Sequence, residues 1–365
     1  MRLLRTLRGF RPLTFTPGGL LLARGYELFE ADLECQNLRF VAQVPRALWA
    51  GAVSRVRHLA RILRAGARLA CRITDQSYLV SEGRRMWLLD LPSGRITLDH
   101  AVARGSRPLS VTLIEGVSGF EDGLYYGEYW ENASKDPVSI WFRDRSGSWR
   151  IAHTFPKGAI EHVHALIPDR RRRWLWILAG DFGHSAGIWV AREGFREVLP
   201  LLAGKQEYRC CWLAQLAERI VYATDTPLER NSVRELRVSV APGGLQATSL
   251  PLAAISGSSI YSCMVGDRVV FSTTVEPGLL TGNVLRDFLG RGVGPGIEGP
   301  YADLMSGDAR GFTRLGRWGK DRWPSRLCEF GSISFPTGHN PGPRLYAYFT
   351  ALAPVDGCMG VFELA

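Results

Sequence analysis

Two histidines one residue apart, His162 and His164, and four acids near the ends of apolar runs, Glu128, Asp181, Asp225 and Glu229, are the side chains best suited to chemistry in this chain. In an extended strand His162 and His164 point to the same side. With Asp181 or His184 as a third donor they suit zinc or manganese, because imidazole and carboxylate are ligands such ions take. As a base beside Tyr126 or Tyr129, one of them suits a lyase reaction instead: it takes the proton next to a uronate carboxyl while an arginine neutralises the acid. The plainer reading is a pair bonded to backbone or to an aspartate. Two of the four acids suit general acid and base work on a glycosidic bond, their separation setting the stereochemical outcome. Equally, each can cap a turn or pair with a neighbouring arginine.

The surroundings of these residues narrow the ligand class. Glu128 sits in Gly127-Glu128-Tyr129-Trp130-Glu131-Asn132, Asp181 follows the run Trp174 to Ala179, Asp225 opens a segment that reaches Asn231, and Glu276 ends Val269 to Val275. Each of these blocks places an acid at a strand end. Tyr126, Tyr129, Trp130, Asn132, Asn231, Glu276, Lys320 and Trp323 are the expected substrate contacts. Carboxylates that bond hydroxyls, beside aromatic faces that stack on sugar rings, suit a polysaccharide or oligosaccharide. No cofactor is expected, with a divalent metal at His162, His164 and Asp181 left open.

Side chains so far apart in the chain need a scaffold that gathers them. Short runs rich in β-branched and aromatic residues recur between turn residues, which is the signature of strands. They fall into seven groups, and the groups starting at about 109, 160, 207 and 258 are roughly 50 residues apart, a period that marks propeller blades. The fold expected is all-β, one propeller domain over residues 1–365 with six or seven four-stranded blades, seven preferred. A pair of β-sandwiches is the alternative. The last group shows only three clear strands, and Arg11 to Thr16 is expected to supply the fourth, closing the ring. Two insertions interrupt the repeat: a Gly-rich loop over 282–300 and a basic amphipathic helix over 46–67. In the latter Leu48, Trp49, Val53, Val56, Leu59, Ala60 and Leu63 recur at helical spacing. That helix reads either as packed against one face of the propeller or as a peripheral contact with an anionic membrane.

Composition bounds the remaining possibilities. The 365 residues are 46% hydrophobic and 22% charged, with 40 Gly and 20 Pro, which excludes disorder, collagen and coiled coil. The net charge of +10 is concentrated in Met1 to Arg11 and Arg46 to Arg68. It is local, and without any zinc-finger or RNA-binding sheet motif no nucleic-acid partner is expected. Seven cysteines without a C-x-x-C pair suggest neither a zinc ribbon nor a disulfide framework. With no signal-peptide or membrane-spanning pattern, the expected location is cytoplasmic, with peripheral attachment to the inner face of the membrane open. The Gly290 to Gly299 stretch lacks the lysine and serine of a P-loop, and no G-x-S-x-G elbow occurs.

Gly127 to Asn132, His162-Val163-His164, Trp176 to Asp181, Thr224 to Asn231, Lys320-Asp321-Arg322-Trp323 and Phe330 to Pro336 together resemble a bacterial family of sialidase-like, Asp-box-repeat β-propellers found with polysaccharide-assembly genes. The likeness runs from about Pro108 onward. It implies a propeller fold and an exopolysaccharide or capsule context, and no particular reaction. Asp144 to Trp149 and Ser306-Gly307-Asp308 are worn forms of the Asp-box, a structural hairpin turn, and the arginine motif of true sialidases is missing. Three functions therefore stand side by side: a glycoside hydrolase-like protein acting at the channel mouth, a non-catalytic scaffold in a polysaccharide-assembly complex, and a lyase acting on a uronate polymer.

Overall fold

Strand runs separated by Gly, Pro, Asn and Asp turns can bury both faces only if neighbouring sheets cover them, and that is how this chain folds. The computed structural model describes all residues except 106, 243, 278–282, 284–293 and 365. Its strands form seven antiparallel sheets, the blades of an all-β, seven-bladed β-propeller; six sheets have four strands and one has a fifth. The six-blade count and the sandwich alternative are thereby excluded.

The chain divides into two compact units, residues 1–99 with 256–365 and residues 100–255. In the first unit, blade 1 is built from Arg11–Thr16, Gly19–Arg24, Glu27–Ala31 and Leu38–Gln43. Blade 7 joins Ser332–Ser334, Arg344–Thr350 and Cys358–Glu363 to the N-terminal strand Arg2–Arg8, in a register running from Arg2 opposite Glu363 to Arg8 opposite Cys358. The closing strand is thus Arg2–Arg8, and Arg11–Thr16 is instead the first strand of blade 1, paired with Gly19–Arg24. Pairing the two ends of the chain covers a sheet edge that would otherwise template aggregation.

The second unit holds three blades. Blade 3 runs Thr112–Ile114, Gly123–Gly127, Val138–Arg143 and Trp149–Phe155. Blade 4 runs Val163–Asp169, Trp174–Ala179, Gly187–Arg192 and Glu197–Ala203. Blade 5 runs Leu213–Gln215, Ile220–Ala223, Ser232–Ala241 and Gly244–Ala254. The core lies between blades. Tyr125, Ile140 and Phe155 of blade 3 pack on Leu166, Leu175 and Ile177 of blade 4. The opposite face of blade 4, with Trp176, Leu178 and Ile188, packs on Tyr222 and Leu236 of blade 5. All six residues of Trp174–Ala179 are buried for this reason. Burying such side chains is worth roughly 1.5–3 kcal/mol each, which is what makes a continuously apolar strand stable here and nowhere on a surface.

The two segments read as worn Asp-boxes are hairpin turns. The Asp144 carboxylate accepts from Ser146 Oγ at 2.6 Å and from the Ser148 amide at 2.9 Å, between the third and fourth strands of blade 3. Asp308 accepts from the Arg310 amide at 2.7 Å in the same kind of hairpin. Of the Gly-rich insertion expected over 282–300, residues 282 and 284–293 lie outside the described residues, while Gly294 and Ile297 form a bridge. The expected single helix over 46–67 is two short ones, Leu48–Arg55 and Arg57–Ile62, broken at Val56, whose backbone is extended. Among the described residues no helix is long and apolar enough to cross a membrane.

Candidate functional site

Three of the expected site residues meet at the entrance to blade 4. His162 precedes the strand Val163–Asp169, and the ladder shifts register between Val163 and Ala165, which makes His164 the bulged residue. A bulge re-aims one side chain without ending the strand. Both rings are nearly fully buried, and their Nε2 atoms lie 2.9 Å apart. Asp181 arrives from the other end of the hairpin. Gly180, at φ +71, makes the turn, and a Cβ there would sit 1.9 Å from the Ser185 carbonyl oxygen. The Asp181 and Phe182 amides donate to Glu161 Oε2 at 2.7 and 3.1 Å, fixing the loop. Asp181 Oδ1 thereby stands 3.3 Å from His162 Nε2 and 3.1 Å from His164 Nε2.

The tautomers follow from the backbone. His162 Nδ1 faces the Trp130 carbonyl and His164 Nδ1 the Cys210 carbonyl, each at 2.9 Å. A carbonyl only accepts, so each Nδ1 carries its proton, which leaves Nε2 as the ring atom that turns a lone pair inward to a cation. Three acceptor atoms, two Nε2 and one Oδ1, therefore converge on one point. Such a cluster requires a proton or a cation at its centre. Ligands bound at ~2.0–2.1 Å with tetrahedral or cis octahedral angles lie ~2.8–3.4 Å apart, and Nδ1–H bonds to carbonyls are the usual outer support of metal-bound histidine. The separations here, 2.9, 3.1 and 3.3 Å, fit a first-row divalent ion.

Sequence reasoning missed Arg209. Its guanidinium lies across Phe182, 5.1 Å from the ring centre, and its Nη2 is 3.2 Å from Asp181 Oδ1 and 3.4 Å from Asp225 Oδ2. The blade repeat held the signal. The Gly180 amide donates to the His162 carbonyl just as the Asp225 amide donates to the Arg209 carbonyl, so His162 and Arg209 occupy equivalent positions, as do His164 and Cys211. His-Val-His in one blade is Arg-Cys-Cys in the next. The same comparison shows that the acids at strand ends are out of step: Asp225 corresponds to Gly180, not to Asp181.

Electrostatics separate the acids. Burial pushes the Asp181 carboxyl up, but the adjoining His162 and His164 rings and the charge of Arg209 outweigh it and hold the group well below the usual carboxylate range. A carboxylate stabilised on folding contributes at every pH above its ordinary value and loses that contribution as acid protonates it. Asp181→Asn should therefore melt below wild type at pH 7, and the gap should close as the pH falls below the ordinary value of 3.8, which thermal melts across an acid series would read. The Cys211 thiol, pushed up by burial and by Asp225, stays protonated and donates to Asp225 Oδ2 at 3.2 Å. Burial also raises Tyr129, whose ring centre is 4.5 Å from that of His162, so its phenol keeps its proton at neutral pH.

The other expected residues are elsewhere or already engaged. Glu128 is buried, accepting from the Ser139 amide at 2.8 Å and Trp141 Nε1 at 3.3 Å and pairing with Arg104 at 3.1 Å. Glu229 is exposed on the loop after Asp225. His184, the other expected donor, is exposed and bonds the Gly158 carbonyl at 2.9 Å, so among the described residues it is Asp181 that completes the histidine pair. Asn132 spends its amide on Asp136 and the Glu161 carbonyl, and Asn231 on Thr224 and Thr226; both pin turns. Tyr126 is buried with its hydroxyl on His100 at 2.8 Å, and Trp130 lies under Arg104 while its carbonyl orients His162. Glu276, Lys320 and Trp323 belong to the first unit. There Glu276 accepts from Ser258 at 3.3 Å, and Lys320 bonds Asp321 and the Trp323 carbonyl.

No protein-family model matches the chain, and no curated protein does. Solved structures do match it in fold. A chain of the mitotic checkpoint complex is similar at 9% identity with a TM-score of 0.56, over 100% of this chain and 92% of that one. The AfRom2 CNH domain is similar at 9% and 0.56, over 100% and 98%. An oligogalacturonate lyase solved in complex with manganese is similar at 12% and 0.56, over 99% and 90%. These likenesses show the fold alone and assign no family.

Proposed function

We propose that this protein is a carbohydrate-active propeller that binds a uronate-containing oligosaccharide through a divalent cation held by His162, His164 and Asp181. The convergence of three acceptor atoms on one point carries the reading. The charge count gives it direction. Asp181, Asp225 and the adjoining Glu161 against Arg209 leave the cluster at −2, so an anionic sugar is repelled from the empty site and admitted once a divalent ion has neutralised it. When bound, the ion would supply neutralisation of the sugar carboxylate. Arg209 adds fixed positive charge behind Asp181, and the protonated Tyr129 phenol, whose ring adjoins His162, would donate to an oxygen of the ligand.

Elimination suits this arrangement better than hydrolysis. An acid catalyst for hydrolysis needs a carboxyl that stays protonated near neutral pH. Asp181 is held ionised, and Glu128 is locked by an amide, an indole and Arg104. In elimination the C5–H bond breaks as its proton passes to a base from solvent, a C4–C5 double bond forms, and the C4–O bond breaks as its oxygen takes a proton in return, so no protonated carboxyl is needed. The manganese-bound oligogalacturonate lyase that shares the fold supports the same direction. Oligomers of galacturonate, of other uronates and of neutral glucose, offered with and without Mn²⁺, test it. Metal-dependent binding of an acidic oligomer, with ultraviolet absorbance of an unsaturated product, is expected. Failure of every acidic oligomer to bind in the presence of metal would overturn the proposal.

A further inference from the structure

The helical excursion between blade 1 and the strand Leu69–Arg72 is inside out. Arg61 is 1% exposed, with its Nε donating to the Cys328 carbonyl at 2.7 Å and its Nη1 on Asp321 and Asp356. Arg57 grips the same Asp356 through Nε at 3.0 Å and Nη2 at 2.5 Å. With these cations turned inward, the apolar side chains face solvent: Leu48 is 93% exposed, Trp49 65%, Val56 50%, Leu59 44% and Leu63 54%. The apolar stripe that periodicity assigns to the core is therefore unpartnered. Five large apolar side chains exposed on one short segment mark a binding surface.

The same segment walls a cavity of about 710 Å³ within the first unit, lined by seven arginines against two carboxylates, Glu27 and Asp356. Arg24 is matched to Glu27 and Arg57 to Asp356, whereas Arg8, Arg46 and Arg55 make no ion pair among the described residues. Planar guanidinium forks suit phosphate oxygens. Apolar side chains beside an arginine-rich cavity match the two layers of a bilayer surface, acyl chains below and anionic headgroups above.

We propose that residues 48–63 are an interfacial anchor that docks this protein on an anionic lipid bilayer, with Leu48, Trp49 and Leu59 entering the acyl boundary and the cavity taking a lipid phosphate. Flotation of the full chain with phosphatidylcholine vesicles, with or without phosphatidylglycerol, tests this. Binding to the anionic vesicles and little to the neutral ones is expected. The double variant Trp49→Ser/Leu59→Ser should lose at least about tenfold in partitioning, and Arg8→Glu/Arg55→Glu a similar factor at low salt. All four side chains are exposed, so circular dichroism and melting should match wild type. Absence of binding to anionic vesicles at low salt would overturn the proposal. So would binding that the apolar double variant leaves unchanged, because charge alone would then account for it. Inorganic pyrophosphate bound by the cavity, with no vesicle binding, would assign the site to a soluble phosphate compound and reject the bilayer.

Discussion

Titration with Mn²⁺ or Zn²⁺ is expected to fill one site per chain, and His164→Ala to weaken that site by at least about a hundredfold. The size of the effect follows from geometry. His164 is the bulged residue whose Nε2 is within 3.1 Å of both other acceptors, and its Nδ1 is fixed on the Cys210 carbonyl, so the lone pair is aimed before any ion arrives. Arg209→Met separates a metal site from an internal charge network. In a metal site Arg209 competes with the ion for Asp181 Oδ1, only 3.2 Å away, so removing it should tighten metal binding while abolishing attraction of an acidic sugar. In a charge network closed by a proton shared between the histidines, Arg209→Met would only destabilise and no ion would bind. Isothermal titration with each variant, alongside melting curves, reads the difference. Because protons compete for the same three atoms, affinity should fall as the pH is lowered.

What the sequence disclosed and what it hid have physical explanations. The strand runs of the seven blades were legible because inner strands packed on both faces read as unbroken apolar stretches, as in Trp174–Ala179. The closing strand was misplaced because Arg2–Arg8 is mostly exposed and carries no β-branched apolar residue. It pairs through backbone with Cys358–Glu363, and backbone pairing leaves no mark on composition. The helical segment shows the limit of periodicity. The spacing of Leu48, Trp49, Val56, Leu59 and Leu63 defines a face, but which face turns inward was decided by Asp321 and Asp356, hundreds of positions away.

The site divides along the same line. His162, His164 and Asp181 were legible because alternation and a strand end are local signals. Their tautomers were not, since these depend on carbonyls of Trp130 and Cys210 in neighbouring blades. Glu128 looked equal to Asp181 in the sequence. Only the approach of the Ser139 amide and Trp141, and of Gly127 to within 2.3 Å of Val163 for any added Cβ, shows that its carboxylate is part of the scaffold.

The largest loss of stability is expected from Asp169→Ala. Asp169 has no exposed surface, and its carboxylate accepts from Trp174 Nε1 and Trp176 Nε1, each at 3.2 Å, and from the Arg172 amide and Nη1, each at 2.9 Å. It ties the first hairpin of blade 4, whose other end carries His162, His164 and Asp181. Arg172, a third exposed, can turn to water when the carboxylate is gone, but the buried indoles cannot. Leaving the two buried indole donors without acceptors costs about 1–3 kcal/mol apiece, so a loss of about 2–6 kcal/mol is expected, read from the urea midpoint. Trp176→Phe removes one of those donors and should itself be mildly destabilising. The double variant should therefore fall short of the sum of the two single losses, because in it one of the stranded donors no longer exists. Strict additivity would mean that the carboxylate acts through the Arg172 turn and not through the indoles. The hairpin would then hold the metal-site loop by its backbone alone, and Asp169→Ala would leave the affinity for Mn²⁺ unchanged.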